Sequence, residues 1–194
     1  MSSPCLSISL HLVKSEDLQG QVESILEEHQ HSSEIQLVDE LHVSLFRGHL
    51  VLRFHQIQPF VDNLTTRVSK IPKFKLILNR VQILRNEEGT RSFICLRIDP
   101  RFKNPSLDRL IQEIENCLHD FEREDQRERK YQDTFITHCS LIWFQGDTKK
   151  GEESSLKPLL DSLEQEFEED PLKLEVDSIS VKVGNQIFLL HLKS

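Results

Sequence analysis

The sequence predicts an α+β fold of two similar halves, with two mostly antiparallel sheets that form a central cleft flanked by helices. The first basis is the order of segments with strand or helix periodicity: strand, helix, strand, helix, hairpin, and then helix, strand, helix, hairpin. The second is that each half ends in two strand-like segments joined around a glycine. The third is that each half holds one strand in which a histidine and a serine stand two positions apart. We expect a single two-lobed domain over residues 1–194.

In the first half, residues 5–13 alternate apolar and polar side chains, which is typical of a half-buried strand. Apolar residues at helical spacing predict a helix from Glu16 to Gln30, and the strand LHVSLF follows at residues 41–46. Residues 56–71 predict a second helix with one apolar stripe. Two uninterrupted strands, FKLILNRVQIL and SFICLRI, are then expected to form a hairpin around the polar run between them.

In the second half, a helix is predicted from about Pro105 to Arg129, although its charged end is expected to be solvated. The apolar segment FITHCSLIWF predicts a strand, and SSLKPLLDSLEQEF predicts a helix. The chain closes with a predicted hairpin of LKLEVDSISVKV and IFLLHL, joined by a glycine-asparagine turn.

The composition is that of a folded, soluble chain. Its 194 residues are enough for a core without disulfides or metals, and 37% are apolar. Because no apolar stretch approaches 18 residues and the start lacks signal-peptide features, we expect an intracellular protein without membrane contact. The four cysteines, Cys5, Cys95, Cys117 and Cys139, are scattered, so we expect reduced core thiols and neither a zinc site nor disulfides.

The net charge of −8 is unevenly distributed. Between Leu41 and Lys103, twelve Lys and Arg residues stand against four acids, so this middle third has a net charge of +8 and the rest −16. A basic region inside an acidic protein can present a positive surface to a polyanion such as a nucleic acid. The alternative is that these basic residues only occupy the outer faces of strands and helices.

The two polar-bearing strands share one pattern. Leu41-His42-Val43-Ser44-Leu45 is repeated by Thr137-His138-Cys139-Ser140-Leu141. Because alternate strand residues point to one face, each histidine shares a face with the serine two positions on. A third His-x-Ser, at residues 31–33, lies in a polar stretch and lacks the flanking apolar residues, so we take it as accidental.

Paired histidines and serines suit phosphoryl transfer to an internal hydroxyl. Histidine can both take and give a proton near neutral pH, so one imidazole can deprotonate an attacking hydroxyl while the other protonates the departing oxygen. Serine hydroxyls can bind the non-bridging oxygens of the phosphate. RNA supplies its own nucleophile, the 2′-hydroxyl, which would leave a 2′,3′-cyclic phosphate. A metal site is the competing interpretation, but neither the His-x-Ser spacing nor any nearby carboxylate cluster favours it.

At these residues the sequence resembles the 2H phosphoesterases, named for two H-x-S/T motifs, and within them the U6 snRNA phosphodiesterase family. The similarity extends to LHVSLFRGHLVLRFHQIQPFV, NEEGTRSFICLRI, KYQDTFITHCSLIWFQGD and VGNQIFLLHL. It covers most of the chain from about residue 5.

The resemblance implies a nuclear, metal-independent and cofactor-free 3′–5′ exoribonuclease. It would trim the uridine-rich end of U6 snRNA and leave a 2′,3′-cyclic phosphate or a monophosphate. The resemblance implies that His138 is the base and His42 the acid, and that Ser44 and Ser140 bind the phosphate. It also implies that Tyr131 stacks on a base, although seven positions separate Tyr131 from His138, one more than the family pattern has. We expect a monomer.

Two other functions remain open. The first is a 2H enzyme that only opens 2′,3′-cyclic phosphates. The second is an RNA-binding module that keeps the fold without catalysis, which the presence of both histidines and both serines disfavours.

Overall fold

The computed structural model describes residues 6–11, 15–29, 35–48, 52–86, 88–121, 137–145 and 153–193. The helices in this part of the chain are α1 (Ser15–Glu28), α2 (Phe54–Val68), α3 (Pro105–Phe121) and α4 (Glu153–Glu169). The strands are β1 (Leu6–His11), β2 (Ile35–Leu37), β3 (His42–Gly48), β4 (Phe74–Leu78), β5 (Arg80–Arg85), β6 (Arg91–Arg97), β7 (His138–Gln145), β8 (Leu172–Val176), β9 (Ser178–Val183) and β10 (Gln186–His191).

Eight strands form one large antiparallel sheet in the order β10-β9-β1-β3-β7-β6-β5, with β2 as a further partner of β7. Strands β4 and β8 pair with each other in a second antiparallel sheet. The predicted α+β fold with two antiparallel sheets is therefore confirmed. The sheets are not divided between the halves, however. The hairpin β5–β6, which ends the first half, pairs with β7 of the second half, whereas β9–β10 pairs with β1.

Two segments that we predicted as single strands each change sheet at one residue. The chain leaves the small sheet at Leu78, passes Asn79 and enters the large sheet at Arg80. It does the same around Asp177, between β8 and β9. The physical reason is visible in the alternation, because the apolar residues that are buried in the core or packed against it switch from even to odd numbers at the break: Leu76 and Leu78 before Val81 and Ile83, and Leu174 and Val176 before Ile179 and Val181. The prediction of uninterrupted strands was wrong at these two points.

The other predicted elements are present with small shifts of their ends, and both hairpin turns have a glycine at positive φ, Gly89 at 65° and Gly184 at 63°. Helix α3 is described only as far as Phe121, so the predicted continuation to Arg129 lies outside the described residues. The sequence did not predict β2, which has three residues and adds to the edge of β7. Such a short strand gives too few positions for a period-2 pattern.

One continuous cluster of buried apolar side chains draws on all four helices and on one face of the large sheet. Helix α2 packs against α3, where the rings of Phe60 and Phe121 meet edge to face with centroids 5.4 Å apart. Helix α1 packs against α4. The helices thereby cover the apolar face of the sheet, and the polar residues of its strands lie on the opposite face. That the whole of 1–194 forms one domain stays a prediction.

Candidate active site

Strands β3 and β7 are direct antiparallel neighbours, and their pairing brings the two His-x-Ser motifs together. Ser44 lies opposite His138, and Val43 lies opposite Cys139. His42 and Ser140 stand two positions from Ser44 and His138 on the same faces of β3 and β7. Because directly opposed residues of an antiparallel pair share a face, all four polar side chains lie on one face of the large sheet.

The apolar residues of the motifs account for this orientation. Val43 and Cys139 are fully buried in the main core, on the face that the helices cover. His42 is exposed, and Ser44, His138 and Ser140 are half-buried. The hydrophobic residue inside each motif therefore fixes which face its histidine and serine occupy.

Each motif is followed by a β-bulge at the same position. On β3 the register with β1 skips Leu45, because Ser44 pairs with Ser9 and Phe46 with Ile8. On β7 the register with β6 skips Leu141, because Ser140 pairs with Cys95 and Ile142 with Ile94. A bulge lets two consecutive residues turn to the core, which explains why both residues after each serine are buried. The sequence signal was an apolar pair that breaks the alternation directly after the motif.

One nitrogen of the first histidine has a fixed role. The Nδ1–H of His42 donates a hydrogen bond to the backbone carbonyl of Glu40 at 3.0 Å. A carbonyl can only accept, so Nδ1 must hold a proton, and in the neutral ring the free lone pair is on Nε2. Nε2 is thus the atom of His42 that can exchange a proton with a substrate.

The side of the site beyond β7 contains three residues that the sequence did not place at the site. Cys95 lies opposite Ser140, with its Sγ 3.4 Å from the serine Oγ. Arg97 lies opposite His138 and donates a hydrogen bond from Nη1 to Oε1 of Gln82 on β5. These residues could not be found by spacing along the chain, because only the register of β5, β6 and β7 brings them to the motif.

Beyond β3, a histidine and two serines lie in register with the first motif, and His11 of β1 lies opposite His42. Ser9 of β1 lies opposite Ser44, and Ser180 of β9 lies opposite Ser9. Ser180 is buried. The two motifs therefore have the same strand geometry but chemically different neighbours.

The three described cysteines are unpaired and buried, as predicted for Cys95, Cys117 and Cys139. Burial raises the pKa of each thiol to about 12, so all three are protonated at neutral pH. The Cys95 sulfur beside Ser140 is thus a neutral neighbour of the site and not a thiolate. Cys5 lies outside the described residues.

Tyr131 also lies outside the described residues, so its role in base stacking stays a prediction. Within the described ranges, no group of three or more His, Cys, Asp or Glu side chains could hold a metal ion. The described helices include none with the length and apolar character that crossing a bilayer requires. Two cavities of about 400 and 560 Å³ are lined by residues of α1, α4 and β5, and neither is lined by a motif residue.

Comparisons with known proteins agree with this architecture. Residues 6–191 match the family model HVSL, which is described as an uncharacterised conserved protein. U6 snRNA phosphodiesterase 1 of Mus musculus is 35% identical over 159 residues, which is 81% of this chain and 57% of the mouse protein. The Drosophila melanogaster protein of the same name is 33% identical over 181 residues, 92% of this chain and 64% of its own length. The chain thus spans less than two thirds of these curated relatives.

Solved structures share the fold at low sequence identity. Kluyveromyces marxianus Usb1 with uridine monophosphate superposes with a TM-score of 0.60 at 15% identity, covering 97% of this chain and 98% of Usb1. LigT from E. coli complexed with phosphate superposes with a TM-score of 0.57 at 13% identity, covering 100% of both chains. The solved structures show that the fold is shared. The chain therefore belongs to the HVSL family, and the resemblance to the U6 snRNA phosphodiesterases that its motifs predicted is confirmed.

Proposed function

We propose that this chain is a metal-independent RNA phosphodiesterase that trims the uridine-rich 3′ end of U6 snRNA as a 3′–5′ exonuclease. The observation that carries the proposal is the pairing of β3 with β7, which aligns two histidines and two serines on one face. The names of the mouse and fly relatives support the substrate. The uridine monophosphate in the Kluyveromyces structure supports a preference for uridine.

In the proposed reaction, His138 takes the proton from the 2′-hydroxyl of the penultimate nucleotide, and the 2′-oxygen attacks the adjacent phosphorus. The bond from phosphorus to the 5′-oxygen of the terminal nucleotide breaks, and His42 gives that oxygen a proton from Nε2. A nucleoside departs, and the shortened RNA ends in a 2′,3′-cyclic phosphate. Opening of this ring by water would give a monophosphate.

The two serine hydroxyls stabilise the negative charge that develops on the phosphate oxygens during the proposed reaction. Ser44 lies opposite His138, and Ser140 follows His138 by two positions on the same face of β7. In this arrangement both hydroxyls donate hydrogen bonds to the non-bridging oxygens, and these bonds strengthen as negative charge accumulates.

Further parts of the proposal follow from the substrate. Tyr131 would stack on a base of the single-stranded end, a contact that tolerates different bases. An enzyme acting on U6 snRNA would work in the nucleus. One chain holds both motifs, so a monomer is sufficient for the reaction.

The test is the cleavage of a 5′-labelled RNA with a uridine tail in the presence of EDTA. We expect stepwise shortening by the wild-type chain and none by His42→Ala or His138→Ala. A matched RNA with a 2′-O-methyl group on the penultimate nucleotide should resist cleavage, because its nucleophile is blocked. Shortening that persists in either variant would contradict paired acid–base catalysis.

The same experiment distinguishes the alternatives. Opening of a 2′,3′-cyclic phosphate without shortening of the RNA would indicate a 2H cyclic phosphodiesterase. Binding of the RNA without any reaction would indicate a non-catalytic RNA-binding module. Both results would overturn the proposed exonuclease.

A further inference from the structure

Arg97 occupies a position from which it can reach the phosphate on the Ser140 side of the site. It is the last residue of β6 and lies directly opposite His138 on β7. Side chains at such opposed positions start about 5 Å apart and share a face. Arg97 therefore lies on the polar face of the sheet, beside the second motif.

A hydrogen bond fixes the direction of its side chain. Nη1 of Arg97 donates to Oε1 of Gln82, which lies opposite Cys95 on β5. Cys95 in turn lies opposite Ser140, with its sulfur 3.4 Å from the serine hydroxyl. Gln82 and Ser140 lie on opposite sides of Cys95, so this bond draws the guanidinium along β6 to the level of Cys95. In agreement, its positive charge acts to lower the pKa of Cys95, although burial prevails and raises that pKa to about 12.

Within the described ranges, no carboxylate faces the charge of Arg97. Other arginines of the same region are neutralised: Arg80 contacts Asp99 and Glu164, and Arg101 contacts Asp99. The Nε of Arg97 is buried and has no hydrogen-bond partner there. A buried donor without a partner is costly, and a guanidinium offers five donors in a planar fork that fits phosphate oxygens.

We propose that Arg97 is a substrate-binding residue that donates hydrogen bonds to a non-bridging oxygen of the RNA phosphate held at Ser140. The inference rests on the proposed RNA phosphodiesterase and adds a cation to a site otherwise composed of imidazoles and hydroxyls. Gln82 orients the guanidinium, and the phosphate accepts hydrogen bonds from guanidinium N–H groups other than the buried Nε–H. Together Ser140 and Arg97 would form the anion-binding half of the site.

The experiment measures binding of a uridine-tailed RNA that is blocked by a 2′-O-methyl group at its last linkage, by fluorescence anisotropy at several salt concentrations. We expect Arg97→Gln to raise Kd by about 10-fold or more. The slope of log Kd against log salt should fall by about 0.7, the value for one phosphate contact on a single strand. Arg97→Lys keeps the charge but lacks the fork, so it should recover the slope and only part of the affinity.

Arg109→Gln is the matched control, because it removes the same charge from an exposed position on α3. We expect this variant to bind like the wild type. If Arg97→Gln folds and shows the same Kd and salt slope as Arg109→Gln, the inference is wrong. Since the blocked RNA measures binding alone, this result is separate from a failure of the proposed function, which appears as an uncleaved, unblocked RNA with wild-type protein.

Discussion

Strands β3 and β7 have the same motif, the same orientation and a bulge at the same place, yet their outer neighbours differ. Beyond β3, His11 lies opposite His42, and the neutral hydroxyls of Ser9 and Ser180 lie in line with Ser44. Beyond β7 lie a buried thiol and the guanidinium of Arg97. The repeated motif thus duplicates the geometry of the histidines and serines but not their electrostatic surroundings.

This difference matters for the roles proposed for the two histidines. Arg97 places a guanidinium directly opposite His138, the histidine assigned as the base. On the other strand, the Glu40 carbonyl holds a proton on Nδ1 of His42 and leaves Nε2 to face the substrate. The assignment of His138 as the base and His42 as the acid stays a prediction, because the His42 ring must gain a second proton on Nε2 before it can act as an acid.

The largest expected effect comes from removing the histidines one at a time. His42→Gln and His138→Gln should each lower kcat/KM by about 10² to 10⁴-fold, the range for one general acid or base. The pH profile then separates them. The wild type should give a bell-shaped curve, His138→Gln should lose the decline at low pH, and His42→Gln should lose the decline at high pH. If His138→Gln loses the decline at high pH and His42→Gln the decline at low pH, then His42 is the base and His138 is the acid.

Sequence patterns were sufficient for the elements whose signals are local. The helices have apolar stripes, the strands alternate, and both hairpin turns contain a glycine at positive φ. What the patterns could not supply is the pairing of distant strands. Nothing local to residues 80–97 indicates that this hairpin joins β7 rather than β3, because that choice depends on how the whole chain packs.

Sequence patterns likewise identified only some of the residues of the candidate site. His42, Ser44, His138 and Ser140 were identified because the motif occurs twice with apolar residues around it. Arg97 was missed, because its relation to His138 exists only across a strand pair. The phase change at Asn79 and Asp177 was in the sequence, and attention to even and odd positions would have located both sheet changes.

A smaller effect is expected from the serines, and it should differ between the strands. Ser44→Ala removes a hydroxyl whose outer neighbour is Ser9, so kcat/KM should fall by about 100-fold. Ser140→Ala leaves Arg97 nearby to bind the same phosphate, so we expect a loss of roughly 10-fold. Single-turnover cleavage of the uridine-tailed RNA measures both, with Ser24→Ala on the exposed side of α1 as the control. Equal losses, or a greater loss for Ser140→Ala, would contradict the expectation that Arg97 compensates for the missing Ser140 hydroxyl.

The smallest expected effect is on the stability of the fold, and it comes from Asp99 on the same side of the site as Arg97. Asp99 follows β6 and is almost fully buried, with 1% of its surface exposed. Arg101 donates hydrogen bonds from Nε to both carboxylate oxygens at 2.9 and 3.0 Å, and its backbone N–H donates to Oδ1 at 2.9 Å. These bonds, with the charge of Arg101 and Arg80, lower the pKa of Asp99 from its ordinary value near 3.8 to about 2. Because the folded pKa is the lower one, the ionised carboxylate stabilises the fold above about pH 4, and this contribution is lost as the pH falls toward 2.

Asp99→Asn should therefore lower the urea midpoint at pH 6, and the difference from wild type should shrink between pH 4 and pH 2 until it disappears. Asp177→Asn is the control, because it makes the same substitution at an exposed aspartate between β8 and β9, and it should shift the midpoint little at any pH. A difference for Asp99→Asn that stays constant down to pH 2 would mean that the amide disturbs packing rather than charge. In that case the charge of Asp99 does not stabilise the fold, and any loss of stability in acid must come from the protonation of another group.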